Sequence, residues 1–437
     1  MRNWGIAFYR LTPAISYFLA VWVSLQKSTR GCINRSRSPE SRRFRSIRYW
    51  YIFLTVAIIF VTVEGILVPT IAQVTYPPNS PDDVPIAQIF SSRLPQPAAL
   101  PSEIKFIWGA LNPVHGVYST AYIPFDRNPL RAESPSWYLQ NAPQQIIRKC
   151  DGETPAFSHR YSWGDLTPLD ISNDDVAEAQ MKCCILPALK RGYQGIAFDN
   201  VTTTNLFHRC GVRREGEFHK LYSGEELDER YFNAVSLWIK KTRQELHALG
   251  LSMSINLHYD SRRPDWFAAA AREADVILEE QGFARRCLRR PTGVEWSTKI
   301  ETLSSVAQTR SLILVNQACS RYESIERSML EWVIANYLLI RGTSTYLAVT
   351  GEQEYGTLLN PVKLRADVGS PISRLLDGET ELIKYRHYEK GLVIVNGDPS
   401  RRYTFKLDHI YKDMNGQFVP FEVNMEPVSA AILMRDQ

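Results

Sequence analysis

Four carboxylates in this chain stand where apolar runs stop, in company with a few amides and one histidine. They are Asp170 after LTPL, Asp199 with Asn200 after GIAF, and Glu279 with Glu280 after DVIL; Asn256 and His258 close the run LSMSINLH, and Asn316 closes SLILV. Two opposed carboxyls are what cleavage of a glycosidic bond requires: one protonates the leaving oxygen, and the other attacks the anomeric carbon or activates water. Asp199 and a glutamate of the DVILEE stretch suit these roles, although an Asp at that place also caps loops. Neighbouring strand residues point to opposite sides, so only one of Glu279 and Glu280 can share a site with Asp199. Glu280, last before the Gln281-Gly282 turn, is assigned to the site, and Glu279 to a salt bridge or helix contact. Burial beside a second carboxylate would keep the acid protonated near neutrality.

Asp170, Asn200, Asn256, His258 and Asn316 are read as substrate contacts. Trp108, Tyr161, Trp163 and Tyr259 offer stacking faces for sugar rings, against the commoner role of a single aromatic in a core. His258 and Asp260, with His208 nearby, offer metal ligation instead. Eight histidines spread through the chain and the lack of a C-x-x-C pair rank that below sugar chemistry, and no metal or cofactor is expected. The serine-nucleophile pattern G-x-S-x-G is missing.

These residues need a scaffold that brings strand ends together. Val176 to Lys190 has helical spacing, Gly192 ends the helix, Tyr193 to Phe198 supplies a strand, and Asp199 lies at its C-terminal end, which is one beat of an α/β barrel. Strands are predicted at 104–111, 144–149, 166–171, 196–199, 251–258, 275–280, 311–316 and 344–349, with 117–123 competing for the second place. This rhythm predicts a (β/α)8 TIM barrel over 103–358; a doubly wound open sheet is the other arrangement it allows, weakened by the absence of a phosphate-binding glycine loop. Short strands with turns at Asn396-Gly397 and Asn415-Gly416 predict a small C-terminal antiparallel β-domain over 359–437.

The net charge of +5 is uneven: residues 1–50 hold ten Lys and Arg against one Glu, which leaves the rest of the chain at −4. A mildly acidic body argues against nucleic-acid binding. The basic leader (1–48) precedes the apolar stretch YWYIFLTVAIIFVTV, and Thr70-Ile71-Ala72 resembles a signal-peptidase site, so 49–72 is read either as a cleaved signal or as a single membrane anchor. The chain is then expected to be secreted or anchored on the extracytoplasmic side. A proline-rich tether is assigned to 73–102. Six cysteines remain after Cys32; a bond between the adjacent Cys183 and Cys184 is judged improbable within a helix.

The body from Glu103 to Gly356 resembles a group of TIM-barrel proteins catalogued as hypothetical glycosyl hydrolase family 15. The likeness rests on Cys150-Asp151-Gly152-Glu153-Thr154-Pro155-Ala156, on Pro168-Leu169-Asp170-Ile171-Ser172-Asn173, on Gly192-Tyr193 through Phe198-Asp199-Asn200, and on Glu280 before Gly282-Phe283. More distantly it looks like endo-α-1,4-polygalactosaminidase barrels. The predicted third-strand segment departs from the family 15 pattern at Ser172-Asn173-Asp174, where a threonine or asparagine followed by proline is expected. The resemblance implies a carbohydrate-active enzyme with Asp199 and Glu280 as the acid pair and a polysaccharide or oligosaccharide as substrate. A catalytically silent barrel that binds glycans is the rival.

Overall fold

The computed structural model describes residues 84–94, 100–128, 135–157, 159–161, 164–285, 289–351 and 354–435. All belong to one compact unit, Ile71–Gln437. Eight parallel strands close into a barrel: β1 (Ile86–Ile89), β2 (Ile104–Trp108), β3 (Tyr118–Pro124), β4 (Gly195–Thr202), β5 (Ser252–His258), β6 (Val276–Glu279), β7 (Ser311–Gln317) and β8 (Thr345–Thr350). The first pairs with the last through Ile86 and Leu347. The expected fold class is therefore the one observed.

Two apolar layers explain the closure. Seven of the strands fill the barrel interior with Ala87, Ile89, Phe106, Trp108, Tyr118, Ala197, Val276, Leu278, Ile313, Val315, Tyr346 and Ala348, while β5 turns the buried polar Ser252, Ser254 and Asn256 inward. Their sequence neighbours face the helices in the larger outer core. Alternation at period two is the reason such strands read as continuous apolar runs.

The outer helices are α1 (Asp174–Gln180), α2 (Glu229–Ala248), α3 (Pro264–Glu273), α4 (Gly293–Ala307) and α5 (Arg327–Ile340). Asn173 caps α1 by accepting from the Asp175 amide, and Asp228 caps α2 by accepting from the amides of Arg230 and Tyr231. Beyond α1 the chain widens into a π turn over Met181–Ile185 before Leu186–Lys190 resumes the helix. Pro187 has no N–H to offer the carbonyl four residues back, and a wide turn accommodates the gap. The same turn brings Cys183 and Cys184 into a disulfide, against the expectation drawn from a regular helix. Cys150 bonds Cys210, and Cys319 is also disulfide-bonded.

Two predicted barrel strands are replaced by two others. Ile86–Ile89, inside the stretch read as a tether, is the first barrel strand, and Tyr118–Pro124, the competitor, is the third. The segments 144–149 and 166–171 are not barrel strands: Pro143–Gln145 is a 3-10 turn, and Ile146, Arg148, Pro168 and Leu169 make only isolated bridges in the long β3–β4 connection. Four residues suffice for a strand when both neighbours pair with it, and flanking prolines hide so short a run.

The C-terminal β-domain starts at β9 (Leu376–Asp377) and continues through β10 (Ile383–Tyr388), β11 (Gly391–Asn396), β12 (Tyr403–Lys406), β13 (Tyr411–Lys412), β14 (Phe418–Val419), β15 (Glu422–Met425) and β16 (Ser429–Arg435). Six of these form a sheet in the order β9-β10-β11-β16-β13-β14, and β12 pairs with β15. Pro420 and Phe421, which sits at φ 52°, separate β14 from β15. The sheet is tied to the barrel helices: the Tyr388 hydroxyl donates to the Leu338 carbonyl at the end of α5, and Lys384 reaches Glu301 of α4. Among the described residues no helix is long and apolar enough to cross a membrane. The basic leader and the stretch 49–72 lie outside the described residues.

Candidate active site

Interior-facing parity carries Gly195, Ala197 and then Asp199 up β4 to the C-terminal mouth of the barrel. There the strand bulges: its pairing with β5 shifts between Phe198 and Val201, and Asn200 takes the left-handed conformation at φ 63°. The bulge folds Asn200 back over Asp199, so that its backbone N–H donates to Oδ1 at 2.9 Å and its Nδ2 to Oδ2 at 2.8 Å. Tyr122 on β3 donates its hydroxyl to Oδ2 at 2.8 Å, and Asn256 on β5 donates Nδ2 to Oδ1 at 2.8 Å. Asp199 thus accepts four hydrogen bonds at a half-exposed position.

On β6 the interior positions are Val276, Leu278 and, one step past the strand, Glu280. Glu279 faces the other way, fully buried, with Oε2 3.0 Å from the equally buried Lys299 ammonium. Glu280 receives the same Asn256 Nδ2 on Oε2 at 3.0 Å, and on Oε1 it receives Tyr355 at 3.0 Å and Gln317 at 3.2 Å. Burial, then the Asp199 carboxylate, push the Glu280 carboxyl above the usual range, against the opposing hydrogen bonds from Asn256 and Tyr355.

One nitrogen thus serves both acids, at 2.8 and 3.0 Å. A planar NH2 group presents its hydrogens about 120° apart, which sets the two acceptor oxygens roughly 5 Å from each other. The two acids differ in setting more than in chemistry: one is solvated and heavily bonded, the other is desolvated beside a charge.

Beside the pair, a cleft of about 160 Å³ is lined by Asn200, Phe207, Asn256, His258, Glu280 and Gln281, among others. The His258 Nδ1 lies 3.2 Å from Gln281 Nε2, and burial holds its imidazolium pKa below the ordinary value, so the ring is neutral and polar. Asn200, Asn256 and His258 are therefore where the sequence placed them.

Four other predicted contacts do not reach the cleft. Trp108 is 2% exposed and donates to Ser254 inside the barrel, beneath the mouth. Tyr259 has the outward parity of β5 and packs edge-on against Phe267 of α3. Asn316, 1% exposed, uses its Oδ1 to hold the amides of Phe283 and Ala284, and so shapes the loop after β6. Asp170 is buried in the β3–β4 connection, where Ser172 donates to it, rather than on a strand. The side chain of Tyr161 and the whole of Trp163 lie outside the described residues. The residues of the metal alternative are committed elsewhere: Asp260 pairs with Arg262, and the His208 ring meets the Gly224 carbonyl.

Sequence reasoning missed Tyr122, Gln317, Tyr355 and Phe90. Tyr122 sits on the strand that lost to 144–149 in the sequence reading. Gln317 follows Asn316 and has the inward parity, a signal that was present. Tyr355 lies in the loop after β8, and no pattern marks it. Phe90 follows β1 at φ 56°, its ring edge-on to Tyr122 at 5.6 Å and to Tyr355 at 6.0 Å, between the two tyrosines that hold the acids. Gly109 makes this possible, since a Cβ there would lie 2.7 Å from the Phe90 ring.

No protein-family model matches the chain, and no curated protein does. Among solved structures it is similar to a noncanonic maltogenic α-amylase, AmyB, from Thermotoga neapolitana, at 12% identity over 72% of this chain and 75% of that one, with a TM-score of 0.37. It is also similar to a GH31 dextranase from Flavobacterium johnsoniae, at 11% identity over 80% and 51%, with a TM-score of 0.45. A cycloalternan-degrading enzyme from Trueperella pyogenes gives 10% identity over 73% and 50%, with a TM-score of 0.37. This chain spans about half the length of the latter two. Likeness at this level carries no residue and no activity from those proteins to this one.

Proposed function

We propose that the chain is a retaining glycoside hydrolase that cleaves O-glycosidic bonds of an extracytoplasmic polysaccharide or oligosaccharide. The observation that carries this is the single Asn256 amide nitrogen held by Asp199 on one side and Glu280 on the other. The two oxygens bonded to that nitrogen, roughly 5 Å apart, fit the close spacing of the double-displacement arrangement. Asp199, positioned by its four donors, attacks the anomeric carbon; Glu280, whose pKa is raised by burial and by the neighbouring Asp199, gives its proton to the leaving oxygen. The same carboxylate, now deprotonated, then takes a proton from the water that releases the sugar from Asp199. Disulfides at Cys150–Cys210 and Cys183–Cys184, together with the basic and apolar leader, support an oxidising location outside the cytoplasm.

Purified protein tested on a glycan panel for reducing-end release, with the product anomer read by NMR before mutarotation, checks the proposal. Retention is expected, and both Asp199→Asn and Glu280→Gln should remove release. Azide should rescue Glu280→Ala with a retained glycosyl azide and Asp199→Ala with an inverted one, since azide replaces a different partner in each. Glycan binding without release, unchanged by Asp199→Asn, would instead favour the silent binding barrel.

A further inference from the structure

The cleft of about 160 Å³ beside the acid pair is shared unequally by the two carboxyls: Glu280 lines it together with Asn256, and Asp199 does not. Its other walls come from the chain leaving β4, with Asn200, Leu206 and Phe207, and from His258 and Gln281 at the ends of β5 and β6. In a double displacement the retained sugar stays on the nucleophile, whereas the departing group lies against the proton donor. The cleft is therefore on the departing side.

Its walls carry both donors and acceptors that the fold does not use. Gln281 presents Nε2 to the His258 Nδ1 at 3.2 Å. An amide nitrogen donates, so Nδ1 accepts, and the one proton of the neutral ring is on Nε2, which meets no acceptor among the described residues. Asn200 and Asn256 commit their amide nitrogens to the acids, and their side-chain oxygens receive no donor among the described residues. One donor and two acceptors thus adjoin the apolar wall of Leu206 and Phe207, both half-buried. A sugar ring matches that pattern, because its hydroxyls both give and take hydrogen bonds while its C–H groups pack on an aromatic side chain. An alkyl or aryl group would strand the polar atoms. An anionic sugar would fare worse: no Lys or Arg lines the cleft, Lys299 is already paired with Glu279, and Glu280 becomes a carboxylate as it gives up its proton.

We propose that this cleft receives the departing residue as an uncharged pyranose, whose bridging oxygen takes the Glu280 proton and leaves as a hydroxyl, and that His258 selects it by donating from Nε2 to one of its oxygens. This inference rests on the hydrolase assignment and names the class of leaving group.

The test uses the full chain and two substrates of whichever sugar the panel identifies: an oligosaccharide cut between two sugars, and the glycosyl fluoride, whose departing fluoride places no ring in the cleft. His258→Leu and Phe207→Leu should each lower the ratio of kcat/KM for the oligosaccharide to that for the fluoride at least about 5-fold, and measurable fluoride hydrolysis shows that the variant is folded. Between oligosaccharides that differ only in the departing residue, a neutral hexose should be favoured over the matching uronate at least roughly 10-fold, and Gln281→Lys should narrow that preference at least about 5-fold by supplying a cation. A ratio unmoved in both Leu variants, a uronate accepted as well as the hexose, or fluoride cleavage without oligosaccharide cleavage overturns the subsite, while fluoride hydrolysis with retention leaves the hydrolase assignment standing. If neither substrate is cleaved, that assignment fails and the subsite falls with it.

Discussion

Replacing Asn256 by Leu tests the site at its centre. The change keeps side-chain size and removes the one nitrogen that both acids share, at 2.8 Å from Asp199 and 3.0 Å from Glu280. A hydrogen bond to a charged group contributes about 1.5–3 kcal/mol, and water entering the half-open mouth returns part of that, so a net loss of about 2–4 kcal/mol in transition-state stabilisation is expected, or roughly 30- to 1,000-fold in kcat/KM. The pH profile carries the sharper information. Asn256 favours the ionised form of Glu280 and so opposes the upward push of burial and of Asp199. Its loss leaves that push opposed by Tyr355 alone of the two donors, so Glu280 holds its proton to higher pH and the alkaline limb of kcat/KM moves up. A variant within about 3-fold of wild type, with its alkaline limb unmoved, would refute the shared-donor geometry and with it the assignment of Glu280 as proton donor.

Other consequences follow from single contacts. Lys299→Met leaves the Glu279 carboxylate alone at full burial and should cost about 3–5 kcal/mol in denaturant unfolding, most of it recovered in the double variant with Glu279→Leu; additive losses would deny the pairing. Because the folded-state pKa of Glu280 lies above its ordinary 4.5, the stability it contributes is present below that value and is lost as pH rises through the folded pKa; Glu280→Gln should therefore unfold at higher denaturant than wild type near pH 8 and at the same denaturant near pH 4. Gly109→Ala, forced to φ 71° with its Cβ against Phe90, should destabilise by about 1–3 kcal/mol and reduce kcat more than it raises KM, because Phe90 backs both tyrosines; a KM-only effect would show that Phe90 does not position them. Tyr355→Phe removes one donor from Glu280 and should also move the alkaline limb upward, by less than Asn256→Leu does.

The barrel was legible because its longer strands announce themselves: 251–258, 275–280, 311–316 and 344–349 are apolar runs between helices, and the observed strands fall on them within a residue or two. The N-terminal third was not. Ile86–Ile89 is four residues long between prolines, and β2 and β3 are joined without a helix, so the helix–strand alternation that identifies a βα repeat is missing where the third strand had to be chosen. The rejected Tyr118–Pro124 carries Tyr122, and its loss from the reading removed one of the four donors to Asp199.

Within the site, parity separates what the sequence placed from what it misplaced. Counting by twos from Ala197, Leu278 and Val315 leads to Asp199, Glu280 and Gln317, and counting back from His258 leads to Asn256; the odd members Tyr259, Glu279 and Asn316 all turn toward the helices. Choosing Asn316 and Tyr259 by residue type broke the rule that correctly chose Glu280 over Glu279. Trp108 obeys the parity but is 2% exposed, packed edge-on against Phe90 and Tyr122 with its indole N–H given to Ser254, so it fills the interior beneath the mouth. Height along a strand is set by the barrel's stagger, and the stagger belongs to the pairing of neighbours rather than to any one strand.

The chemistry of Asn256 explains why the two acids can sit so close and still differ. A lysine or arginine between them would neutralise both charges and pull both acids down together, and an aspartate would add a third carboxylate to a site already crowded with two. A neutral amide has two hydrogens on one nitrogen and no charge, so it can fix the separation of two oxygens without deciding which of them ionises. That decision is left to the surroundings. The backbone N–H and side chain of Asn200 and the hydroxyl of Tyr122 act on Asp199 alone, while burial acts on Glu280. Asn256→Asp should for this reason be more damaging than Asn256→Leu. With three carboxyls in contact, the shared proton no longer has to reside on Glu280, and the alkaline limb should lose its single-proton steepness as well as its position; a profile of Asn256→Asp matching that of Asn256→Leu would show that charge neutrality at this position is irrelevant.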